Sequence, residues 1–351
     1  MTSFLPNKSL TLPSGTTYGY VYHPASDPNK PTLLFCHGFP STSQDWRYQL
    51  AYFSSLGYGV LAPDMLGYGK TSKPTDLSAY IGQKMAADIA GILDHEKIEG
   101  ELVGVAHDWG VYALSSLVIH HGDRFAKLVF VSVAFTPPKI GKDGRTMDYE
   151  TLLQVNALTE KMLGYPCFGY WFFLNEPDAG KTIGEHWESF YELLYAEDTD
   201  LWKKHLGPVG SAKAFITADQ HAKTASYATP EDKAYFHSAF GDDFSAPTCW
   251  YKRSLAGLGV EEERKAIEAG EVKTWKVGSK LDKPTLFVTG TRDAVCIPEP
   301  GRQTMRNITE EGKLQIVDLE AGHWVQLEKA TELNQALLKF LEGAGDGETK
   351  L

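Results

Sequence analysis

The sequence predicts an α/β protein in which a mostly parallel sheet is covered by helices on both faces. Short apolar runs, such as residues 59–62 and 127–134, alternate with segments of helical periodicity. Strands that are apolar throughout are typical of parallel sheets buried on both sides. The alternation stops after Phe135 and resumes at Pro284, which indicates a long insertion between two parts of one core.

This pattern of alternating strand and helix segments, with its long interruption, divides the chain of 351 residues into four parts. Residues 1–135 and 271–343 are predicted to form the two parts of the α/β core. Residues 136–270 lack strand patterns and are crowded with aromatic residues, so we expect a mainly helical cap whose aromatic side chains pack its interior or wall an apolar pocket. Residues 344–351 read as a flexible C-terminal tail.

Charge and hydropathy narrow the classes of partner. The net charge of −11 argues against nucleic acid and against an anionic membrane surface. No apolar run approaches the roughly 18 residues that span a bilayer, and the N-terminus has no secretory pattern, so we expect a cytoplasmic protein. The final Thr349-Lys350-Leu351 resembles a peroxisomal Ser-Lys-Leu signal only loosely.

The segment from Glu101 to Gly110 organises the core. Its apolar run ends abruptly on a polar cluster that presents Asp108, with the small residues Ala106 and Gly110 two positions to either side. Such spacing is typical of the strained strand-to-helix turn that exposes a hydrolase nucleophile. A carboxylate at that position can attack a saturated carbon and form an ester. The simpler alternative is that Asp108 only caps the following helix.

A second loop follows the strand at residues 31–36. It reads His37-Gly38-Phe39-Pro40, where the glycine lets backbone N–H groups approach a ligand closely and the proline holds the loop. The loop can therefore supply part of an oxyanion hole. An ordinary strand-ending turn would contain the same residue types.

Two further polar residues follow later strands. Asp293 comes after the strand at 284–290, and His323 comes after the strand at 314–319. The carboxyl ends of parallel strands share one edge of the sheet, where ligands bind. The chain order of nucleophile, acid and histidine is that of hydrolase triads, in which the acid fixes the tautomer of the histidine. Asp108, Asp293 and His323 are thus the predicted catalytic triad.

These motifs together resemble soluble epoxide hydrolases of the α/β-hydrolase fold, the fungal ones in particular. The resemblance is carried by His37-Gly38-Phe39-Pro40, His107-Asp108-Trp109-Gly110, Asp293 and Gly322-His323-Trp324. In that family two cap tyrosines hold the epoxide oxygen. The segments at 168–177 and 247–252 are similar to the family motifs around them, and this similarity gives Tyr170 and Tyr251 that role.

The resemblance implies a two-step reaction that makes a vicinal diol from a small apolar epoxide and water. Asp108 attacks a ring carbon while Tyr170 and Tyr251 stabilise the oxygen, and His323 with Asp293 then activates water against the ester. The backbone N–H groups of Phe39 and Trp109 form the oxyanion hole, and Phe39, Trp109, Tyr170 and Tyr251 contact the substrate. The reaction requires no metal and no organic cofactor.

Three other readings share parts of this pattern. A haloalkane dehalogenase also uses an aspartate nucleophile followed by tryptophan, but that family commonly has asparagine where Phe39 stands. A fluoroacetate dehalogenase has arginine in the place of Trp109. The alternative from another class is a hydrolase scaffold that binds a ligand without catalysis, and an intact Asp108, Asp293 and His323 set argues against it.

Overall fold

A single sheet runs through the computed structural model of the protein, which describes residues 5–98, 100–140, 147–343 and 349–350. Within these residues the sheet has nine strands in the order β1-β2-β4-β3-β5-β6-β7-β8-β9. The strands are β1 (Lys8–Thr11), β2 (Thr17–His23), β3 (Thr32–Cys36), β4 (Gly59–Pro63), β5 (Leu102–His107), β6 (Phe125–Val131), β7 (Thr285–Gly290), β8 (Leu314–Leu319) and β9 (Thr349–Lys350).

The sheet is mostly parallel, as the sequence predicts. β2 pairs antiparallel with both β1 and β4. Every pair from β4 across to β9 is parallel. All six residues of β5 are buried, because this central strand is covered on both faces. The carboxyl ends of β3, β5, β7 and β8 therefore meet at one edge of the sheet.

Helices follow the strands along most of the chain. The α-helices of the described residues are α1 (Arg47–Ser55), α2 (Gly82–His95), α3 (Trp109–His121), α4 (Tyr149–Leu163), α5 (Tyr170–Leu174), α6 (Ala179–Glu185), α7 (Trp187–Leu194), α8 (Leu201–His205), α9 (Ser211–Thr217), α10 (Pro230–Phe240), α11 (Ser245–Leu255), α12 (Val260–Glu268), α13 (Pro298–Ile308), α14 (Val325–Glu328) and α15 (Ala330–Leu341).

Side-chain alternation along the strands makes two separate cores. Leu33 and Phe35 of β3 pack in one core with residues of α1 and α15. Leu34 and Cys36 of the same strand pack in the other core with residues of α2 and α3. Successive side chains of a strand point to opposite faces, so one short apolar strand supports both helical layers. This double packing holds the strand ends, and the loops that follow them, in fixed positions.

The insertion between β6 and β7 is helical. The described residues between these strands form α4 to α12 and one isolated bridge with each other, between Ala196 and Thr224. Leu281, shortly before β7, forms another bridge with Thr309. All nine helices fall within the range 136–270 that the sequence assigns to the cap.

The C-terminal end of the chain is described only in part. Of the predicted tail from 344 to 351, Thr349–Lys350 pair with β8 and the remaining residues lie outside the described ones. Among the helices that the structure describes, none combines the length and the apolar character needed to cross a membrane.

Candidate active site

Asp108 lies at a strained turn between β5 and α3. Its backbone has φ of 50° and ψ of −128°, a conformation that costs a non-glycine residue about 1–3 kcal/mol. Gly110 packs so closely against the Cys36 and His37 carbonyls that any side chain there would clash with them. The turn therefore holds the Asp108 carboxylate above the end of β5 instead of against the helix. Its own side chain makes no capping hydrogen bond to α3.

The loop after β3 receives this carboxylate. The backbone N–H of Phe39 donates to Oδ1 of Asp108 over 2.7 Å. Gly38 lies directly beside the same carboxylate, where a larger residue would not fit. His37 fixes the loop from behind, because its Nε2 accepts the N–H of Met65 over 2.8 Å and burial lowers its pKa to about 4. A neutral His37 is the form that can accept this bond.

His323 connects the two predicted triad carboxylates. Its Nδ1 lies 2.8 Å from Oδ2 of Asp293, and its Nε2 lies 3.7 Å from Oδ2 of Asp108. The other oxygen of Asp293 accepts the backbone N–H groups of Val295 and Cys296, both over 2.9 Å. These bonds fix Asp293, which in turn fixes the imidazole. The structure thus brings Asp108, Asp293 and His323 together from the ends of β5, β7 and β8.

In the triad the two carboxylates and the histidine each stabilise the charged form of the other. Burial acts to lower the pKa of His323, but Asp293 and Asp108 outweigh it and raise that pKa well above its ordinary value. Burial likewise acts to raise the pKa values of Asp108 and Asp293, but the charge and hydrogen bonds of His323 hold both below their ordinary value. In the free protein the site therefore contains two carboxylates and an imidazolium.

His107 joins the nucleophile strand to the histidine loop. Burial lowers its pKa to about 3, so the ring is neutral. Its Nε2 lies 2.9 Å from the carbonyl of His323, and its Nδ1 lies 3.3 Å from the side-chain amide of Gln326. With the proton on Nε2, His107 donates to the carbonyl and accepts from the amide. Two segments 216 residues apart in the chain are linked directly in this way.

Two tyrosines from the insertion face the triad. Tyr170 begins α5 and Tyr251 lies on α11, and their ring centroids are 5.9 Å apart. Burial, assisted by the nearby Asp108 charge, raises the pKa of each phenol well above its ordinary value. Both side chains therefore stay neutral and can act as hydrogen-bond donors. The ring of Phe39 packs edge-on against Tyr251 at 4.9 Å.

Asp108, His323 and both tyrosines open on one cavity of about 470 Å³. They supply its only polar side chains among the described residues. The remaining lining consists of Phe39, Phe173, Leu174, Phe190, Leu194, Trp202, Leu206, Ala212, Ile216, Val295 and Trp324. A carboxylate in the lining of an otherwise largely apolar cavity suits an electrophile with an uncharged substituent.

Of the residues predicted to contact substrate, Phe39, Tyr170 and Tyr251 line this cavity. The ring of Trp109 does not, because it packs against Trp171 at 5.4 Å and Tyr251 at 5.1 Å. Its backbone amide, at the start of α3 directly after Asp108, is the part of Trp109 that remains available to the site.

One group of potential metal ligands coincides with the triad. Within the described residues, Asp293, Cys296 and His323 place ligand atoms within 4.8 Å of one another. Two of these three residues are already hydrogen-bonded to each other. Burial raises the pKa of the Cys296 thiol to about 12, which disfavours the thiolate that metals bind.

Sequence reasoning did not assign roles to His107 and Gln326, or to the wall formed by Trp202, Ala212 and Ile216. A histidine at the end of an otherwise apolar strand is a signal that could have identified His107. The wall residues come from α8 and α9, and only the packing of the insertion onto the core brings them to the cavity.

Comparison with known proteins agrees with this arrangement. A family model described as the alpha/beta hydrolase fold matches residues 31–158. The chain is 27% identical to an epoxide hydrolase of Caballeronia sordidicola, over 93% of its own length and 92% of the relative. It is 25% identical over 94% of its length to bifunctional epoxide hydrolase 2 of Mus musculus, and it spans only 56% of that longer protein.

The fold also matches solved structures. The crystal structure of epoxide hydrolase A from Mycobacterium thermoresistibile aligns with a TM-score of 0.73 at 24% identity, covering 96% of this chain and 98% of that one. The chain therefore has the fold of the α/β-hydrolases. The relatives named above, which match it over nearly its whole length, are epoxide hydrolases.

Proposed function

We propose that this protein is an epoxide hydrolase, which converts small apolar epoxides and water into vicinal diols. The observation that carries the proposal is the shared cavity, where the Asp108 carboxylate faces two neutral phenols across an apolar space. The named relatives support the same activity. Opening an epoxide needs a nucleophile at carbon and an acid at oxygen, and this cavity supplies both.

In the first step Asp108 forms an ester. One carboxylate oxygen attacks a ring carbon and the carbon–oxygen bond of the epoxide breaks. The developing alkoxide takes a hydrogen bond or a proton from Tyr170 or Tyr251. Phe39 holds the other carboxylate oxygen through its N–H, which orients the attacking oxygen toward the cavity.

In the second step water cleaves that ester. Esterification removes the negative charge of Asp108, and with it one of the two carboxylates that keep His323 protonated. The imidazolium of His323 then loses its Nε2 proton to solvent, and the neutral ring can accept a proton from the attacking water while Asp293 holds its Nδ1. The oxyanion formed at the Asp108 carbonyl lies next to the N–H of Phe39, and the N–H of Trp109 is the second proposed donor. Each such donor contributes about 2.7–4 kcal/mol to the transition state.

In this proposal the catalytic groups come from two parts of the chain. Residues 1–135 and 271–343 form the core that carries the triad, and residues 136–270 form a cap that carries the tyrosines.

We also propose that the protein is located in the cytosol. Microscopy of the whole chain with a fluorescent protein at its N-terminus should give a diffuse signal, whereas a punctate peroxisomal signal would favour the Thr349-Lys350-Leu351 address instead.

A haloalkane dehalogenase would use the same nucleophile. A leaving halide is stabilised by N–H donors, yet the indole of Trp109 packs against Trp171 and Tyr251 and is not part of the described lining of the cavity. The groups that face Asp108 across the cavity are phenols instead. This difference favours an epoxide over a haloalkane as the substrate.

The decisive assay compares the purified protein with Asp108→Ala on aryl and alkyl epoxides and on haloalkanes, measuring diol and free halide. We expect diol from the native protein and a loss of more than about 10³-fold in the variant. Halide without diol would establish the dehalogenase. If no substrate leaves an ester on Asp108 by mass spectrometry, the non-catalytic scaffold is correct.

The two steps should differ in pH dependence. The pKa of Asp108 is depressed and those of Tyr170 and Tyr251 are raised, so the alkylation rate should be flat from about pH 5 to about pH 9. Hydrolysis needs neutral His323 in the esterified enzyme, where Asp293 is the one of the two carboxylates that still raises the His323 pKa. Its rate should increase with pH through the pKa that His323 has in that state. Single-turnover quenched-flow measurements separate the two rates. An alkylation rate that climbs steeply across this range would contradict the charge assignment.

A further inference from the structure

A second cavity lies between the core and the insertion. It is partly open to solvent, measures about 370 Å³ when that open space is included, and is bounded by residues 41–47 on the core side and by α7 and α10 on the other. The described residues that line it are all different from those that line the catalytic cavity. Tyr195 lines the second cavity, Trp324 lines the catalytic one, and their rings stack at 4.7 Å with an interplanar angle of 16°. These two rings separate the cavities.

The second cavity contains a carboxylate without a cationic partner. Oδ2 of Asp45 accepts the hydroxyl of Ser41 over 2.6 Å. Among the described residues no Lys, Arg or His forms an ion pair with Asp45, and the one lining cation, Arg47, is paired with Asp232 over 3.0 Å. Two carboxylates and one guanidinium leave the lining with one excess negative charge. Burial raises the pKa of Asp45 to about 6, although Ser41, the Arg47 charge and Tyr195 act in the opposite direction. The carboxylate is therefore ionised at neutral pH in a place where burial disfavours its charge.

The same lining contains a hydrogen-bond acceptor without a donor. Oε1 of Gln44 is buried and has no hydrogen-bond partner. Buried acceptors without a partner are rare, because each one loses its bonds to water without replacement. Asp45 and Gln44 are one residue apart in the chain and line the same space. Together they call for a group that carries a positive charge and several N–H donors.

The opposite wall is suited to an apolar tail. It is formed by the aromatic rings of Tyr191, Phe236 and Phe240 together with the small side chain of Ala228. Aromatic rings tolerate a neighbouring cation better than aliphatic groups do, because the ring faces carry partial negative charge. The cavity thus combines the unpaired carboxylate of Asp45 on the core side with a mainly aromatic insertion side, which also contributes the Asp232 carboxylate that pairs with Arg47.

We propose that this cavity is a second ligand site, which binds a primary ammonium group on a short apolar chain. The ammonium donates to Asp45 and to Gln44, and the chain packs on the aromatic wall. A neutral alcohol of the same length could donate only one hydrogen bond and would leave the carboxylate uncompensated. The excess charge of the lining therefore selects the amine.

Isothermal titration calorimetry tests the site with n-butylammonium and, as its neutral match, butan-1-ol. At about pH 8 the amine is protonated and Asp45 is ionised. We expect butylammonium to bind the native protein at least about tenfold more tightly than butan-1-ol. Asp45→Asn should weaken that binding about tenfold, and Ala228→Leu should weaken it by filling the cavity. Asp108→Asn should bind as the native protein does, since Asp108 lies in the other cavity.

Three results would overturn the proposal: no binding of butylammonium at millimolar concentrations, equal affinity for butan-1-ol, or loss of binding in Asp108→Asn with retention in Asp45→Asn. The last result would place the amine in the catalytic cavity. Gln44→Leu keeps the core-side carboxylate and removes only the unused acceptor, so its weaker binding of the amine decides the question if Asp45→Asn does not fold.

Discussion

The His323→Gln variant is expected to accumulate the alkyl-enzyme. Glutamine cannot act as a base near neutral pH, so the ester on Asp108 should form and then persist. Alkylation itself needs only the Asp108 carboxylate and the two phenols that line the cavity with it. We expect diol turnover to fall by more than about 10³-fold, while intact-mass spectrometry shows one equivalent of substrate bound to each chain.

A matched substitution distinguishes this effect from a general loss of structure. His95 is an exposed histidine at the end of α2, and His95→Gln should turn over normally without an ester. Steady turnover in His323→Gln, or a failure to trap any adduct while Asp108 remains reactive, would show that another group activates the water.

Removing both cap phenols should block the first step instead. Tyr170→Phe and Tyr251→Phe keep the ring contacts and remove only the hydroxyl donors. The loss of one donor to a developing oxyanion reduces rate by about 10² to 10³, so the double variant should alkylate more than about 10³-fold slower than the native protein. Single-turnover rates measure this directly, because the loss should appear in ester formation and not in ester hydrolysis.

The control for the double variant is Tyr149→Phe. Tyr149 lies on α4 of the same insertion, and 60% of it is exposed, so its hydroxyl should not affect either step. A double variant that alkylates within about tenfold of the native rate would remove the phenols from the mechanism. In that case Asp108 would be acting on a substrate whose leaving group needs no acid.

The strands and the nucleophile turn could be predicted because their signals are local. Short, mainly apolar runs mark the buried strands, and β8 has the predicted bounds of Leu314–Leu319. Ala106 and Gly110 mark the turn in the same way. The chain order of the polar strand ends was sufficient to place Asp293 and His323 at one edge, since parallel strands share that edge.

The pocket walls could not be predicted by this reasoning. Trp202 and Ala212 reach the cavity through the packing of short helices, and no periodic pattern encodes that packing. The orientation of the Trp109 ring and the link from His107 to the His323 loop depend on contacts between distant segments. The second cavity could not be predicted for the same reason, because its lining combines residues 41–47 of the core with residues of the insertion.

Because the tyrosines lie on α5 and α11 of the insertion, the two steps of the proposed reaction depend on different parts of the chain. Ester formation requires the insertion and the core to be correctly packed against each other, because the phenols belong to the insertion and Asp108 belongs to the core. The second step uses groups that follow β3, β5, β7 and β8, and His107 links the end of β5 to the loop after β8. Agents that loosen the junction, such as mild urea or hydrostatic pressure, should therefore slow ester formation first. An enzyme already carrying its ester should still complete the cycle under those conditions.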